Sequence, residues 1–114
     1  MENCVFCQIA AGKIPSQKVY ENEKVLAFRD IHPMAPVHIV VIPKEHVLER
    51  ASEVAPDNAA VVADCFLAIA EIARQEKLDG GFRVITNSGE DACQSVPHLH
   101  FHILAGKKLP DSLA

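Results

Sequence analysis

The chain reads as an α+β fold: a mostly antiparallel sheet with one long helix and a short N-terminal helix. Three observations predict this class. Strand-like runs cluster at both ends of the chain, at 19–31 and 37–42 and again at 82–87 and 98–104. A single stretch between them, from about Pro56 to Lys77, carries the spacing of a helix. The last run, His98-Leu99-His100-Phe101-His102-Ile103, alternates with period two, the repeat of a strand. Strands grouped on either side of one helix favour an α+β arrangement.

The elements follow in order. Residues 3–11 form a short helix closed by Gly12, with Pro15 just beyond. Val19-Tyr20 and residues 25–31 make a hairpin around the turn-prone Glu21-Asn22-Glu23-Lys24. His32-Pro33-Met34-Ala35-Pro36 is a rigid loop, because two prolines forbid both ladder and helix. Val37–Ile42 is strongly β-branched, a central strand ended by Pro43. Asp57 is placed to cap the long helix, and Asp79-Gly80-Gly81 stops it. Val61, Cys65, Ala68, Ile69, Ile72 and Ala73 build its apolar face. Val62, Phe66 and Ile69 widen that stripe, which points either to simple burial or to a subunit interface. Residues 82–87 give the next strand, 88–91 a polar loop, and the histidine strand comes last, before a Gly/Lys/Pro tail.

Composition narrows the functional classes. The 114 residues suit one domain spanning 1–114, and 49% apolar with 23% charged content describes an ordinary globular protein. A net charge of −4 argues against a broad nucleic-acid surface or an anionic-membrane patch, so any anionic ligand must be held by local donors. Met1-Glu2-Asn3-Cys4 lacks the features of a signal peptide, and no apolar run approaches the ~20 residues of a membrane span. The cytoplasm is the expected location. A disulfide framework is therefore not expected from Cys4, Cys7, Cys65 and Cys93, and Cys65 reads as a buried small hydrophobe.

The histidine run carries the chemistry. On a strand the imidazoles of His98, His100 and His102 project from one face, roughly 6–7 Å apart, while Leu99, Phe101 and Ile103 enter a core. Three crowded rings would repel one another as cations, so the ledge suits binding a metal, binding an anion or attacking phosphorus. Three same-face histidines also suit a metal-dependent hydrolase, although the sequence shows no carboxylate obviously placed to join them. Cys4-Val5-Phe6-Cys7 is half of a zinc site.

Gln94-Ser95-Val96-Pro97-His98-Leu99-His100-Phe101-His102-Ile103-Leu104 resembles the signature of the histidine triad (HIT) family. Phe28–His38 resembles the family's aspartate-containing loop, and Ile42-Pro43-Lys44-Glu45-His46 the segment after its central strand. The resemblance runs in order through roughly residues 3–109 and is greatest to the small histidine triad nucleotide-binding, or protein kinase C inhibitor-like, branch. It implies a HIT-like α+β homodimer that binds purine nucleotides and hydrolyses adenosine phosphoramidates. By resemblance His100 is the nucleophile, flanked by His98 and His102, with His38 in the same network. Ser95 is a candidate proton donor, and Asn87, Cys93 and Gln94 belong to phosphate binding. Asp30 and Ile31 take the ribose, and Phe6, Ile9 and Phe28 form the base slot. The resemblance also lets His46 and His98 complete a structural zinc site with Cys4 and Cys7; no organic cofactor is implied. A nucleotide-binding regulatory module with residual catalysis is the alternative. Two departures stand out: Cys93 occupies a position where many relatives have glycine, and Pro97 removes a backbone donor just before His98. The chain also ends at Ala114 without a long tail, which bears on the choice of leaving group.

Overall fold

The computed structural model describes residues 3–112, so the reading of Met1-Glu2 and of the end at Ala114 lies outside the described residues. Its elements are α1 (Val5–Ala10), β1 (Lys18–Glu21), β2 (Val25–Arg29), β3 (Val37–Pro43), α2 (Ala59–Gln75), β4 (Arg83–Ile85) and β5 (Phe101–Ala105). The strands form one five-stranded sheet in the order β1-β2-β3-β5-β4, and each neighbouring pair is antiparallel. The β-branched run is therefore the middle strand, as its sequence predicts.

Alternation divides the sheet into two faces. Val25, Ala27, Ile39, Val41, Phe101 and Ile103 pack with Leu99 against Cys65, Ala68, Ile69 and Ile72 of α2. Leu26, Phe28, Val40 and Ile42 face the other way and pack under Phe6 and Ile9 of α1. The long helix thus makes the main core, while the six-residue α1 covers the second face. So short a helix is unstable alone and depends on what it docks against.

Several boundaries differ from the expectations, each for a local reason. β5 starts at Phe101 rather than at His98. Pro97 has no N–H, and the Leu99 N–H donates to the Leu48 carbonyl instead of to a neighbouring strand. Only His102 of the three histidines stands in the ladder, opposite Val40 and Ile85. β2 ends at Arg29, which leaves Asp30 and Ile31 at its exit. Asp57 does not cap α2. Asn58 occupies the cap, and its side chain instead accepts from the Ala55 N–H and donates to the Glu53 carbonyl. The helix ends at Gln75, short of the expected Lys77, which instead takes a positive φ of 58° just beyond the cap, with the Leu78 N–H closing back on the Ala73 carbonyl. In the widened stripe Ile69 is buried in the chain's own core, Val62 packs partly against it, and Phe66 stays 47% exposed with its ring against Phe101.

One glycine is required by close approach. Gly106 has φ +95°, and a Cβ there would lie 2.8 Å from Cβ of Pro36. This contact fixes the 32–36 loop over the end of β5, a placement the site uses.

Candidate active site and metal centre

A cavity of about 560 Å³ opens on the face of the sheet that carries α1. Phe6 and Ile9 of α1, Phe28 at the end of β2 and Val40 of β3 give it an apolar wall, and Asp30, Ile31, Ser95, His100 and His102 line its polar side. The rings of Phe6 and Phe28 meet edge-on at 5.8 Å, and Phe6 meets His100 at 4.9 Å. Such a slot buries a flat ring between apolar surfaces.

The hydrogen bonds assign the protons of the histidines. Nδ1–H of His100 donates to the His98 carbonyl at 2.8 Å, so its Nε2 carries the lone pair. The Met34 N–H donates to Nδ1 of His38 at 3.0 Å, which places the His38 proton on Nε2. That Nε2–H donates to Nδ1 of His102 at 2.9 Å, leaving the His102 proton on Nε2. The two cavity histidines are thus complementary: His100 offers a lone pair and His102 offers a donor. Asp30 Oδ2 lies 3.4 Å from His38 Nε2, and Asp30 Oδ1 accepts from the His32 N–H. The Thr86 hydroxyl donates to the His100 carbonyl at 2.7 Å.

Burial keeps these rings neutral. It pushes His100 below the ordinary imidazole range, opposed by the His98 carbonyl and by Asp30. Burial, then the neighbouring His100 and His38, push His102 down to about 4. Burial lowers His38 as well, with Asp30 opposing. The consequence for stability has a definite sign. Between pH 6.5 and 4 the unfolded chain binds protons at these positions that the folded chain refuses, so folding weakens as pH falls. The contribution is complete above about pH 6.5. Scanning calorimetry should show Tm falling steadily from pH 6.5 to 4, and an unchanged Tm over that window would contradict the assignment.

The second cluster gathers at the N-terminal end of α1, where Cys4 is the N-cap and Cys7 lies in the first turn. The ligating atoms of Cys4, Cys7, His46 and His98 all lie within 4.8 Å of one another. Sγ of Cys4 is 3.2 Å and Sγ of Cys7 3.5 Å from Nδ1 of His98, and Sγ of Cys7 is 3.3 Å from Nδ1 of His46. Nε2–H of His98 donates to the Pro43 carbonyl at 2.8 Å, which leaves the Nδ1 lone pair facing the sulfurs. A carbonyl partner of this kind commonly orients a metal-ligating histidine. Two thiolates and two neutral imidazoles around Zn²⁺ make a neutral cluster, which suits the burial of Cys4 and His98. These residues fit zinc, and a closed shell of four ligands would tie α1 to the end of β3.

Asp30, His38 and His102 form a second group within metal-binding reach, and Asp30 supplies the carboxylate that the sequence did not reveal. Its proton pattern opposes a metal. The Met34 N–H occupies Nδ1 of His38, so Nε2 must carry a proton and has no lone pair to give.

The structure brings most of the expected residues together and separates a few. His98 does not line the cavity: both its ring nitrogens are engaged elsewhere, and it serves the site through its carbonyl. His38 acts behind His102. Asn87, Cys93 and Gln94 also stand outside the cavity lining. The Gln94 side chain is spent on the fold, donating to the Glu49 and Val96 carbonyls and accepting from the Gly89 N–H. The cavity also uses Ile14, Pro15, Ser16 and Gln17, a connecting segment with no signal in the sequence beyond its position after α1.

Cys93 takes φ 58° and ψ 40°, the left-handed conformation that glycine adopts without strain. Cys93→Gly should therefore leave the protein as stable or raise stability by up to about 1 kcal/mol, the strain relief exceeding the extra chain entropy of glycine. Chemical denaturation measures it, and a loss of 1 kcal/mol or more would show that the thiol side chain itself is needed.

Comparison with known proteins agrees with this geometry. The family model described as HIT domain matches residues 11–109. A solved HIT family hydrolase from Clostridium thermocellum superposes with a TM-score of 0.95 at 41% identity, covering 100% of this chain and 99% of that one. A 14 kDa zinc-binding protein of Zea mays is 43% identical over 92% of this chain and 83% of its own length. The Adenylylsulfatase HINT1 of Arabidopsis thaliana is 40% identical over 92% of this chain and 72% of its own. The family's hydrolase members share this fold, and the chain belongs to the HIT family.

Proposed function

We propose that the protein is a nucleotidyl hydrolase that cleaves purine nucleoside phosphoramidates through a covalent nucleotidyl-His100 intermediate. The observation that carries this reading is the paired orientation of His100 and His102. The Nε2 lone pair of His100 and the Nε2–H of His102 belong to neighbouring rings 5.1 Å apart in one cavity. Nε2 of His100 attacks phosphorus and the P–N bond breaks. The Ser95 hydroxyl, at the cavity's polar side, gives the leaving amine its proton. Nε2–H of His102 donates to a phosphoryl oxygen as charge builds there. Water then attacks the same phosphorus, the P–Nε2 bond breaks, and the water proton restores Ser95. His38 and the Met34 N–H are positioning groups, holding His102 in the donating tautomer.

Asp30 accepts from the ribose hydroxyls beside Ile31, and the base enters the slot of Phe6, Ile9 and Phe28. The Arabidopsis relative's name supports an adenylyl group as the part transferred. Asn87 and the loop amides around Cys93 and Gln94 contact the phosphate in this reading, the Gln94 side chain being engaged with Glu49, Gly89 and Val96. Mass spectrometry of protein quenched during turnover of an adenosine phosphoramidate should find one adenylyl group on the peptide bearing His100. Full turnover with no adduct at any quench time counts against the covalent route.

The reading includes a homodimer of cytoplasmic chains, each one HIT domain with one zinc ion, that binds neither nucleic acid nor membrane. Half-exposed Phe66 and 70% exposed Leu67 on α2 are the residues such a dimer would cover. Sedimentation should give twice the chain mass, and a monomer at all concentrations would remove this part. Among the described residues no helix is long and apolar enough to cross a membrane.

A further inference from the structure

We propose that zinc and the nucleotide base bind cooperatively, with α1 and the ring of Phe6 as the link between their sites. The inference rests on the nucleotide reading above. α1 is six residues long, and both sites draw on it. Cys4 and Cys7 belong to the metal cluster, while Phe6 and Ile9 form the wall of the slot. Cys4 is also the helix N-cap, its sulfur accepting the Cys7 N–H at 3.4 Å, so the ligands are built into the start of the helix itself. The Phe6 ring meets the ring of His98 at 5.9 Å and that of His100 at 4.9 Å, and so touches one histidine from each site.

The physical cause is a shared ordering cost. A helix of this length does not hold itself, and its apolar contacts with β2 and β3 come chiefly from Phe6 and Ile9. Zinc would clamp its N-terminal end to His46 and His98 and thereby fix the slot wall before a base arrives. A base stacked against Phe6 and Ile9 would hold the helix with Cys4 and Cys7 already in place for the metal. Whichever ligand comes first meets the ordering cost, and the second binds more tightly by the same factor in either order. A sugar phosphate that occupies Asp30, His100 and His102 leaves α1 untouched, so it lacks most of this effect.

The test follows transfer of zinc from the loaded protein to a colorimetric chelator, with AMP or ribose 5-phosphate added at equal fractional saturation. AMP should slow the transfer roughly five- to a hundredfold, and ribose 5-phosphate at most twofold. Calorimetry should show AMP binding weakened, roughly five- to a hundredfold, in chelated protein that remains folded by circular dichroism. Equal slowing by the two ligands would overturn the proposal, because it would mean a general stabilisation of the fold. No slowing by AMP that demonstrably binds would overturn it as well, leaving the nucleotide reading intact. Absence of AMP binding to the zinc-loaded protein would remove both. In Phe6→Leu, which keeps an apolar wall but loses the ring contacts, the AMP effect on zinc transfer should shrink to less than half, and an undiminished effect would exclude Phe6 as the link.

Discussion

His100→Ala is expected to lower phosphoramidase turnover by about three orders of magnitude or more while nucleotide binding stays within about tenfold of wild type. Deleting a nucleophile removes the covalent route, and what survives is the modest catalysis that positioning and the remaining donors supply. Binding persists because the apolar wall of Phe6, Ile9 and Phe28 and the carboxylate of Asp30 are untouched. The substitution leaves a void beneath Phe6 and removes the Nδ1–H that the His98 carbonyl accepts, while the Thr86 hydroxyl can still donate to the carbonyl of residue 100, so a folded protein with a lowered Tm is expected. Single-turnover kinetics with nucleotide titration checks both halves. Turnover within tenfold of wild type would rule out covalent catalysis by this residue.

Loss of the proposed zinc carries the largest expected effect on stability. A site held at a hundredfold excess of free zinc over its Kd contributes about 2.7 kcal/mol, which for a protein of this size corresponds to a Tm change on the order of 10 °C. Chelation, or Cys4→Ser, should lower Tm by about that amount and cost proportionally less activity per folded molecule. The reason is geometric: the four candidate ligands leave no open position for substrate water, and His98 reaches the cavity only through its carbonyl. Elemental analysis of protein prepared without chelator should give one zinc per chain. A ratio far below one, with Cys4 and Cys7 freely titratable in the native state, would sink the site.

Much of the arrangement was legible in the residues. The β-branched run at 37–42 became the central strand, because only a doubly buried strand uses so many β-branched side chains in succession. The apolar positions of the helix at Cys65, Ala68, Ile69 and Ile72 are the ones buried. Boundaries were less legible, since they turn on single hydrogen bonds. Asn58 rather than Asp57 precedes α2 because its amide bridges Ala55 and Glu53, a local option that a carboxylate alone does not have. Likewise the histidine run looks like a continuous strand, yet the Leu99 N–H finds Leu48 and the ladder begins two residues later.

What the sequence determined by itself is the inventory and its periodicity: six histidines, three of them at alternate positions, a CxxC, and enough apolar pattern to specify one sheet and one long helix. Short-range periodicity sets which side chains share a face, and a linear chain carries that information directly. The tertiary structure decided what each histidine does. His98 turns to the cysteines through Nδ1, His100 turns its lone pair toward the cavity, and His102 accepts a hydrogen bond from His38. Those roles depend on partners 94, 2 and 64 residues apart, of which only the nearest lies within the reach of a local pattern. A tautomer is chosen by the atom opposite each ring nitrogen. For these rings the deciding atoms are the Pro43 and His98 carbonyls and the Met34 amide, backbone groups whose positions are fixed only when the sheet and its loops close around them.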